Sequence, residues 1–133
     1  MELREISVEA DKPLAEIIRY NLRKNHLDIP GTVYFDPELD HLSEFYLAAP
    51  DRRKYFILWD NDKVCGGVGF AEFGGFEKCA EIQKLYLSDE KKGMGLGKML
   101  LQYAENEARK LGYTTAYIET HTNLDVALKM YYK

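Results

Sequence analysis

Apolar residues at regular spacing divide the first fifty residues into a predicted strand and two helices. The strand is predicted from three apolar residues, Leu3, Ile6 and Val8. Asp11 can cap the helix that follows, and Pro13 suits its first turn. The apolar face of this helix consists of Leu14, Ile17, Ile18 and Leu22. A second helix is predicted from about Pro37 until Pro50 stops it. Its inner side carries Leu39, Leu42, Phe45 and Tyr46.

An antiparallel meander of three strands is predicted next. The strands are Lys54–Trp59, Val64–Phe73 and Glu81–Leu87, which are rich in aromatic and branched residues. Turn-forming residues separate them, with Asn61-Asp62 in the first gap and Gly74-Gly75 in the second.

The last strand of the meander changes its pattern halfway along. Glu81 and Gln83 are polar, whereas Leu85 and Leu87, which have the same parity, are apolar. The inward parity therefore flips between Gln83 and Leu85. A β-bulge, which adds one residue to one strand, would cause this flip. A strand that is half-buried on both faces would give the same pattern, so both interpretations remain open.

The remaining chain predicts a glycine-rich loop, a helix, a strand and a last helix. The first of these helices runs to about Lys110, and Gly112 fits its C-terminal cap. One face of it carries Leu100, Ala104, Ala108 and Leu111. Thr115–Thr120 predicts a strand, and Asn123 opens the last helix. Together these elements predict one α/β domain over residues 1–133, with a mixed, mainly antiparallel twisted sheet flanked by helices.

Composition and charge narrow the classes of function. Of the 133 residues, 46% are hydrophobic and 30% charged, which is typical of a globular protein. The net charge of −4 disfavours a nucleic-acid partner. No apolar run approaches the roughly 20 residues of a membrane span and the first residues do not resemble a signal peptide, so we expect a cytoplasmic protein with no membrane partner. Two cysteines, Cys65 and Cys79, are too few for a disulfide framework or a four-ligand zinc site, and we expect no metal.

The segment Lys92–Lys98 carries the most informative motif, three alternating glycines between a strand and a helix. Glycine allows the backbone to approach a ligand closely, and the free N–H groups of a helix N-terminus favour an anion. Lys91, Lys92 and Lys98 lie there with no acidic residue among them. The pattern predicts a phosphate or pyrophosphate ligand, and a loop that only turns tightly is the alternative.

Two common phosphate-binding motifs do not fit this loop. The nucleotide P-loop requires a glycine and a Ser or Thr at the positions of Lys92 and Met99. The dinucleotide motif requires a glycine where Lys98 stands. We therefore expect neither ATP nor NAD to bind.

The loop instead resembles the pyrophosphate loop of the GNAT superfamily of acetyl-CoA-dependent N-acetyltransferases. Gly95 and Gly97 match that family's Gln/Arg-x-x-Gly-x-Gly/Ala pattern, and Lys92 replaces the Gln or Arg, which keeps a charge but not a planar fork. Leu85-Tyr86-Leu87 resembles the end of the family's preceding strand, and Asn123, Ala127 and Tyr131 resemble its late Asn…Ala…Tyr motif. The resemblance covers about residues 54–133, while residues 1–50 match only in outline.

This resemblance implies the acyl-CoA N-acyltransferase fold and direct acetyl transfer from acetyl-CoA to an amine. Backbone groups of Leu85 and Leu87 would bind the thioester and the pantetheine arm, in a V-shaped slot where the strand ending at Leu87 diverges from the strand holding Ala116 and Ile118. The pyrophosphate would lie on a loop formed by Lys92, Gly93, Met94, Gly95, Leu96, Gly97 and Lys98. Asn123 would share a helix face with Tyr131 beside the sulfur.

The resemblance also implies catalytic residues. Glu81 resembles the glutamate that some members use as a base, and Glu119 is the alternative, with His121 as a proton relay. Tyr131 matches the general acid that protonates the departing thiolate. A non-catalytic acyl-CoA-binding or regulatory module of the same fold is the second hypothesis.

The acceptor side and the end of the sequence complete the expectations. Residues 26–51 contain no Lys or Arg but six acids: Asp28, Asp36, Glu38, Asp40, Glu44 and Asp51. In the family this segment helps to line the acceptor cleft, where acids would attract a cationic small-molecule or peptide amine; a solvated helix face is the alternative. Family members usually continue with two more strands, so we expect C-terminal strands to be missing here, either because the chain is short or because a tail follows the given sequence. If the strands are truly missing, the edge of Thr115–Thr120 is unpaired and open to association, for example as a homodimer.

Overall fold

The computed structural model describes the backbone of residues 1–74, 76–122 and 125–132, and the side chains of residues 1–32, 34–74 and 76–118. Its strands are β1 (Glu2–Glu5), β2 (Lys54–Asp60), β3 (Lys63–Glu72), β4 (Cys79–Leu87), β5 (Thr115–Thr122) and β6 (Asp125–Tyr132). Its helices are α1 (Val8–Lys24), α2 (Leu42–Leu47) and α3 (Leu96–Lys110), with short 3-10 turns at Val33–Phe35, Pro37–His41 and Asp89–Lys91. The strands form one sheet in chain order, in which only β4 and β5 are parallel. The predicted mixed, mainly antiparallel sheet is confirmed.

The two faces of the sheet carry separate hydrophobic clusters. Successive side chains of a strand point to opposite faces. Tyr55 and Ile57 of β2 therefore join the cluster under α1 and α2, whereas Phe56 and Leu58 join the cluster under α3. Because β2 is covered on both faces, its sequence is almost continuously apolar. No helix within the described residues is long and apolar enough to cross a bilayer.

Asp11 caps a helix, but not the one that the sequence predicts. α1 begins at Val8, after Ser7, one turn earlier than the sequence predicts. The reason is that Ala10 is buried on the same helix face as Leu14 and extends that face by one turn. Asp11 is consequently inside α1 and buried. Its carboxylate accepts hydrogen bonds from the backbone N–H of Ser43 at 2.9 Å and from its hydroxyl at 2.5 Å. Asp11 thus caps the first turn of α2.

The helix expected from Asn123 is wrong where the structure describes this segment. Residues 125–132 form β6, which pairs antiparallel with β5. Short apolar runs are ambiguous between helix and strand. Val126, Tyr131 and Tyr132 favour strands, and β5 has a backbone edge available on the side away from β4. That edge of β5 is therefore paired with β6 and is not open.

Candidate functional site

β4 and β5 are paired over only part of their length. The parallel ladder joins Cys79–Ile82 to Thr115–Ile118. β4 then continues through Gln83–Leu87 without a strand partner on that edge among the described residues. The strands part beyond Ile82, as the family resemblance implies, and leave a slot between them.

The predicted bulge lies at the start of this slot. Between Gly67 and Gly69 of β3, the facing stretch of β4 contains one residue more than β3 does. Lys84 has φ +49°, in the left-handed region that residues with a side chain rarely adopt. This extra residue explains why the parity flips between Gln83 and Leu85, so the bulge interpretation is correct. Residues 83–87 are also half-buried throughout, so the second interpretation holds beside it.

The buried side chain of Tyr55 supports the bulge from β2. Its hydroxyl donates a hydrogen bond to the backbone carbonyl of Lys84 at 2.6 Å. Its ring lies against Gly67 and Gly69, where an added Cβ would come within 2.4 Å and 2.3 Å of ring carbons. Burial raises the pKa of Tyr55 well above its usual value, so the hydroxyl remains a donor.

The unpaired stretch of β4 directs backbone donors toward the slot. The N–H of Ser88 donates to the carbonyl of Cys65 on β3 at 2.8 Å. Backbone groups of successive strand residues alternate between the two edges, so Tyr86 faces β3 as Ser88 does. The N–H groups of Leu85 and Leu87 consequently face the opposite edge, where β5 has diverged.

The glycine-rich loop exposes further backbone donors at the N-terminus of α3. Gly93 and Gly95 have φ +78° and +77°, which an L side chain adopts only with strain, and Gly95 caps α3. From Gly93 to Lys98, no backbone N–H donates to a backbone carbonyl of the described residues; the next, that of Met99, donates to Gly95 at 3.2 Å. These free N–H groups and the helix dipole favour an anion.

The lysines of the loop are less available than the sequence suggests. Lys91 pairs with Asp60 at the end of β2 at 2.7 Å, and Lys92 pairs with Asp89 at 3.0 Å. No acid lies among these lysines in the sequence, but the fold brings two carboxylates to them: Asp89, just before the motif, and Asp60, which lies about thirty residues earlier. Lys98 forms no ion pair with the described part of the protein.

Asn21 is a site residue that the sequence analysis missed. It is buried on α1, where its Nδ2 donates to the carbonyls of Leu87 at 3.0 Å and Ile17 at 2.9 Å. Its Oδ1 accepts a hydrogen bond from Nζ of Lys92. Asn21 thereby ties α1 to the end of β4 and to the loop. The sequence gives one sign of this role: Asn21 is polar although its position, seven residues after Leu14, lies on the apolar face of the helix.

Glu81 lies on β4 where pairing with β5 is about to end. It is half-buried and is the penultimate residue of β4 in the ladder with β5. Its Oε1 accepts a hydrogen bond from Nε2 of Gln83 at 2.7 Å. Oε1 of Gln83 in turn accepts a hydrogen bond from the hydroxyl of Tyr46 on α2, also at 2.7 Å.

The ammonium of Lys84 lies among carboxylates on the α1 and α2 side of the sheet. Burial lowers the pKa of Lys84. Three carboxylates oppose this change: Asp36, Glu81 and Glu38. Among the six acids of residues 26–51, Asp40 is paired with Arg19 at 2.7 Å. The negative charge of these six acids is thus partly neutralised by Arg19 and Lys84.

Several predicted residues fall outside the described part. Asn123 is not described, and neither are the side chains of Glu119, His121 and Tyr131. Since residues 125–132 form a strand, Tyr131 does not lie on the helix face that the sequence predicts it to share with Asn123.

A groove of about 730 Å³ lies between α1, the β2–β3 turn and the segment before the glycine-rich loop. Its lining includes one lysine, Lys63, and five acids: Glu9, Glu16, Asp62, Asp89 and Glu90. This charge repels a diphosphate, so we assign the anion to the loop rather than to the groove. Among the described side chains, no three His, Cys, Asp or Glu residues group as metal ligands.

A mixed sheet that opens beside a bulge, followed by a glycine-rich loop at a helix N-terminus, defines an acyltransferase of the acyl-CoA N-acyltransferase fold. The chain belongs to the GNAT family of acetyltransferases, whose model matches residues 19–133.

Named relatives agree with this family. The chain is similar to YjgM of Escherichia coli (strain K12), an uncharacterised N-acetyltransferase, with 30% identity over 131 residues that cover 97% of this chain and 77% of that protein. Its structure is similar to PaiA N-acetyltransferase from Thermoplasma acidophilum in complex with coenzyme A (TM-score 0.71, 20% identity, 90% of this chain and 79% of that chain). It is also similar to yncA from Salmonella typhimurium, solved with its cofactor acetyl-CoA (TM-score 0.71, 20% identity, 91% and 70%). At these sequence identities, each comparison shows only that this chain and the solved structure have the same fold.

Proposed function

We propose that this chain moves the acetyl group of acetyl-CoA to a primary amine by direct attack of the amine on the thioester. The observation that carries the proposal is the parting of β4 from β5 at the bulge, beside a loop with free backbone donors. The fold neighbours that hold coenzyme A and acetyl-CoA support the choice of cosubstrate.

The cofactor lies along the opened edge of β4. Its diphosphate is bound by the N–H groups of Gly93–Lys98. Lys98 adds a positive charge, since of the three lysines at the loop it alone has no ion pair with the described residues. The pantetheine arm enters the slot, where the N–H groups of Leu85 and Leu87 face it. One of them binds the thioester carbonyl as oxyanion charge develops. Asn123 is retained as a cofactor contact on its sequence match alone.

The acceptor amine must lose a proton before it attacks. An alkylammonium has a pKa of about 10.4 and is mostly protonated at neutral pH. Glu81, directly or through water, accepts this proton, and the amine nitrogen then attacks the thioester carbon. The nitrogen–carbon bond forms, the carbon–sulfur bond breaks, and the nitrogen gives up its second proton to water, from which the phenolate left on Tyr131 later regains a proton. The departing thiolate takes a proton from Tyr131, whose assignment rests on its sequence match.

The acceptor is a small-molecule or peptide amine with cationic character. Asp36 and Glu38 lie close enough to Lys84, at the bulge, to influence its ammonium, and these carboxylates favour positive charge. Since Lys84 and Arg19 offset part of this charge, the attraction is moderate.

Two measurements test the proposal. Calorimetry should detect binding of coenzyme A but not of ATP or NAD. Thiol release from acetyl-CoA should then be followed with spermidine, an aminoglycoside, a lysine peptide and neutral butylamine, with the cationic amines expected to react faster. Coenzyme A binding without turnover of any amine would instead favour a non-catalytic acyl-CoA-binding module, and absence of coenzyme A binding would contradict both.

A further inference from the structure

Gln83 is the first residue of β4 beyond the ladder with β5, and its side chain connects two elements. Its Nε2 donates to Oε1 of Glu81, and its Oε1 accepts from the hydroxyl of Tyr46, each at 2.7 Å. Because Tyr46 belongs to α2, this chain of hydrogen bonds joins the helix layer to the candidate base at the mouth of the slot.

The chemistry of the three groups fixes the orientation of the Gln83 amide. An ionised carboxylate only accepts hydrogen bonds, so the amide must present its NH₂ group to Glu81. Its oxygen then faces Tyr46, which must donate. The side chain of Tyr46 is 1% exposed. Burial and the nearby carboxylate of Glu81 raise the pKa of Tyr46, so its proton is retained at any working pH.

We propose that Gln83 and Tyr46 are positioning residues for Glu81: together they hold its Oε1 and orient its carboxylate toward the slot. This inference deepens the proposed function and rests on it. A hydrogen bond to the charged form of a carboxylate stabilises that form. The bond occupies Oε1, and Oε2 has no donor in the described structure, which leaves it to accept a proton from the amine.

Other charges also influence Glu81, and the test must leave them in place. Lys84 and Cys79 lie on the same strand within electrostatic range of Glu81, as does Tyr46 on α2. Arg53, just before β2, acts on Tyr46, and Tyr117 of β5 is the ladder neighbour of Glu81. None of these is altered by replacing Gln83 with methionine, which keeps the length of the side chain and removes both hydrogen bonds.

The first test titrates the carboxyl group of Glu81 itself. In protein with ¹³C-labelled glutamate, the Glu81 signal is assigned by its loss in Glu81→Gln. We expect its midpoint to rise by about one pH unit in Gln83→Met and by less in Tyr46→Phe, which keeps the ring packed on Phe45 and Tyr55. Gln83→Glu, which puts a second carboxylate beside Glu81, should raise it further. The matched control is Gln102→Met, a substitution of an exposed glutamine on α3 that should not move it.

The second test measures kcat/KM against pH with the amine that turns over fastest in the panel above. The acidic limb should move upward in the same order as the carboxyl titration, and Glu81→Gln should abolish that limb. A purely structural role of Gln83 would lower turnover equally at all pH values, and that result would overturn the inference. So would an unchanged acidic limb in Glu81→Gln or an unmoved midpoint in both Gln83→Met and Tyr46→Phe.

The two proposals fail in different ways. If wild-type protein turns over no amine, the proposed function fails, whatever the carboxyl titration shows. If wild-type protein turns over an amine but the substitutions leave its pH profile unmoved, only the positioning role fails. Should Gln83→Met not fold, Tyr46→Phe provides the same readouts.

Discussion

The hydroxyl of Tyr55 donates a 2.6 Å hydrogen bond to the backbone carbonyl of Lys84, the residue whose left-handed backbone forms the bulge of β4. This bond joins the buried centre of the sheet to the position where β4 leaves β5. The bulge is therefore supported by the neighbouring strands β2 and β3.

Replacing Tyr55 with phenylalanine should weaken both the fold and cofactor binding. The substitution keeps the ring on the glycines of β3 but leaves the carbonyl of Lys84 without its donor, which costs about 1–3 kcal/mol of unfolding free energy. Urea unfolding and coenzyme A calorimetry measure the two effects. Tyr103→Phe, which removes a hydroxyl with no hydrogen bond among the described residues, is the control and should change neither. Full coenzyme A affinity in Tyr55→Phe would show that the slot does not depend on this bond.

Gly69→Ala should destabilise the sheet, because the packing around Gly69 leaves no space for a methyl group. Its Cβ would lie 2.3 Å from the ring of Tyr55 and 2.8 Å from the carbonyl oxygen of Lys54, and neither can move freely in a buried sheet. We expect a loss of about 1–3 kcal/mol. In the exposed turn, Gly74→Ala meets no atom within 4 Å and should stay within about 0.5 kcal/mol of wild type. Equal stability of the two variants would contradict the packing described for Tyr55.

The sequence predicts local features of this fold much better than contacts between distant residues. The position of the bulge can be predicted because a one-residue insertion must reverse the polar alternation between Gln83 and Leu85, although a strand half-buried on both faces gives the same pattern. The hydrogen bonds of Asn21 and Gln83 cannot be predicted from the sequence, since they join segments that come together only when the chain packs. The prediction of a helix after Asn123 is wrong because the short apolar pattern of this segment fits the period of a strand as well as that of a helix.

Asp89 should make the stability of the protein depend on pH. Hydrogen bonds from Tyr20, Lys92 and Lys24 hold the pKa of Asp89 well below its usual range. A depressed carboxyl pKa in the folded state stabilises the fold above the ordinary value of about 3.9, and this contribution is lost as the pH falls below it. Asp89→Asn should therefore be less stable than wild type at pH 7, and the difference should shrink toward pH 3.

Urea unfolding at pH 7 and pH 3 measures this difference directly. Because Asp89 is exposed, 1 M salt should also reduce it at pH 7. Glu16→Gln is the control, since Glu16 is exposed on α1 and forms no ion pair with the described residues. A stability difference for Asp89→Asn that is the same at both pH values would mean that the carboxylate is not held by its three donors.

Tyr131→Phe tests the general acid that the late motif implies. If Tyr131 protonates the departing thiolate, the variant should lose much more turnover than acetyl-CoA affinity, since the hydroxyl acts only as the carbon–sulfur bond breaks. Steady-state kinetics with calorimetry separates the two quantities. Tyr132→Phe is the adjacent control and should retain turnover. Undiminished turnover in Tyr131→Phe would remove this residue from the mechanism.

Lys98→Gln should weaken coenzyme A binding modestly without abolishing it. The backbone N–H groups of Gly93–Lys98 remain in the variant, and an exposed charge contributes only about 0.2–1 kcal/mol, or up to about fivefold in affinity. Lys12→Gln, on the exposed side of α1, removes the same charge away from the loop and should leave the affinity unchanged. Calorimetry at low and high salt should show that only the Lys98 contribution fades with ionic strength. Equal losses in the two variants would mean that net charge, and not a diphosphate on this loop, governs binding.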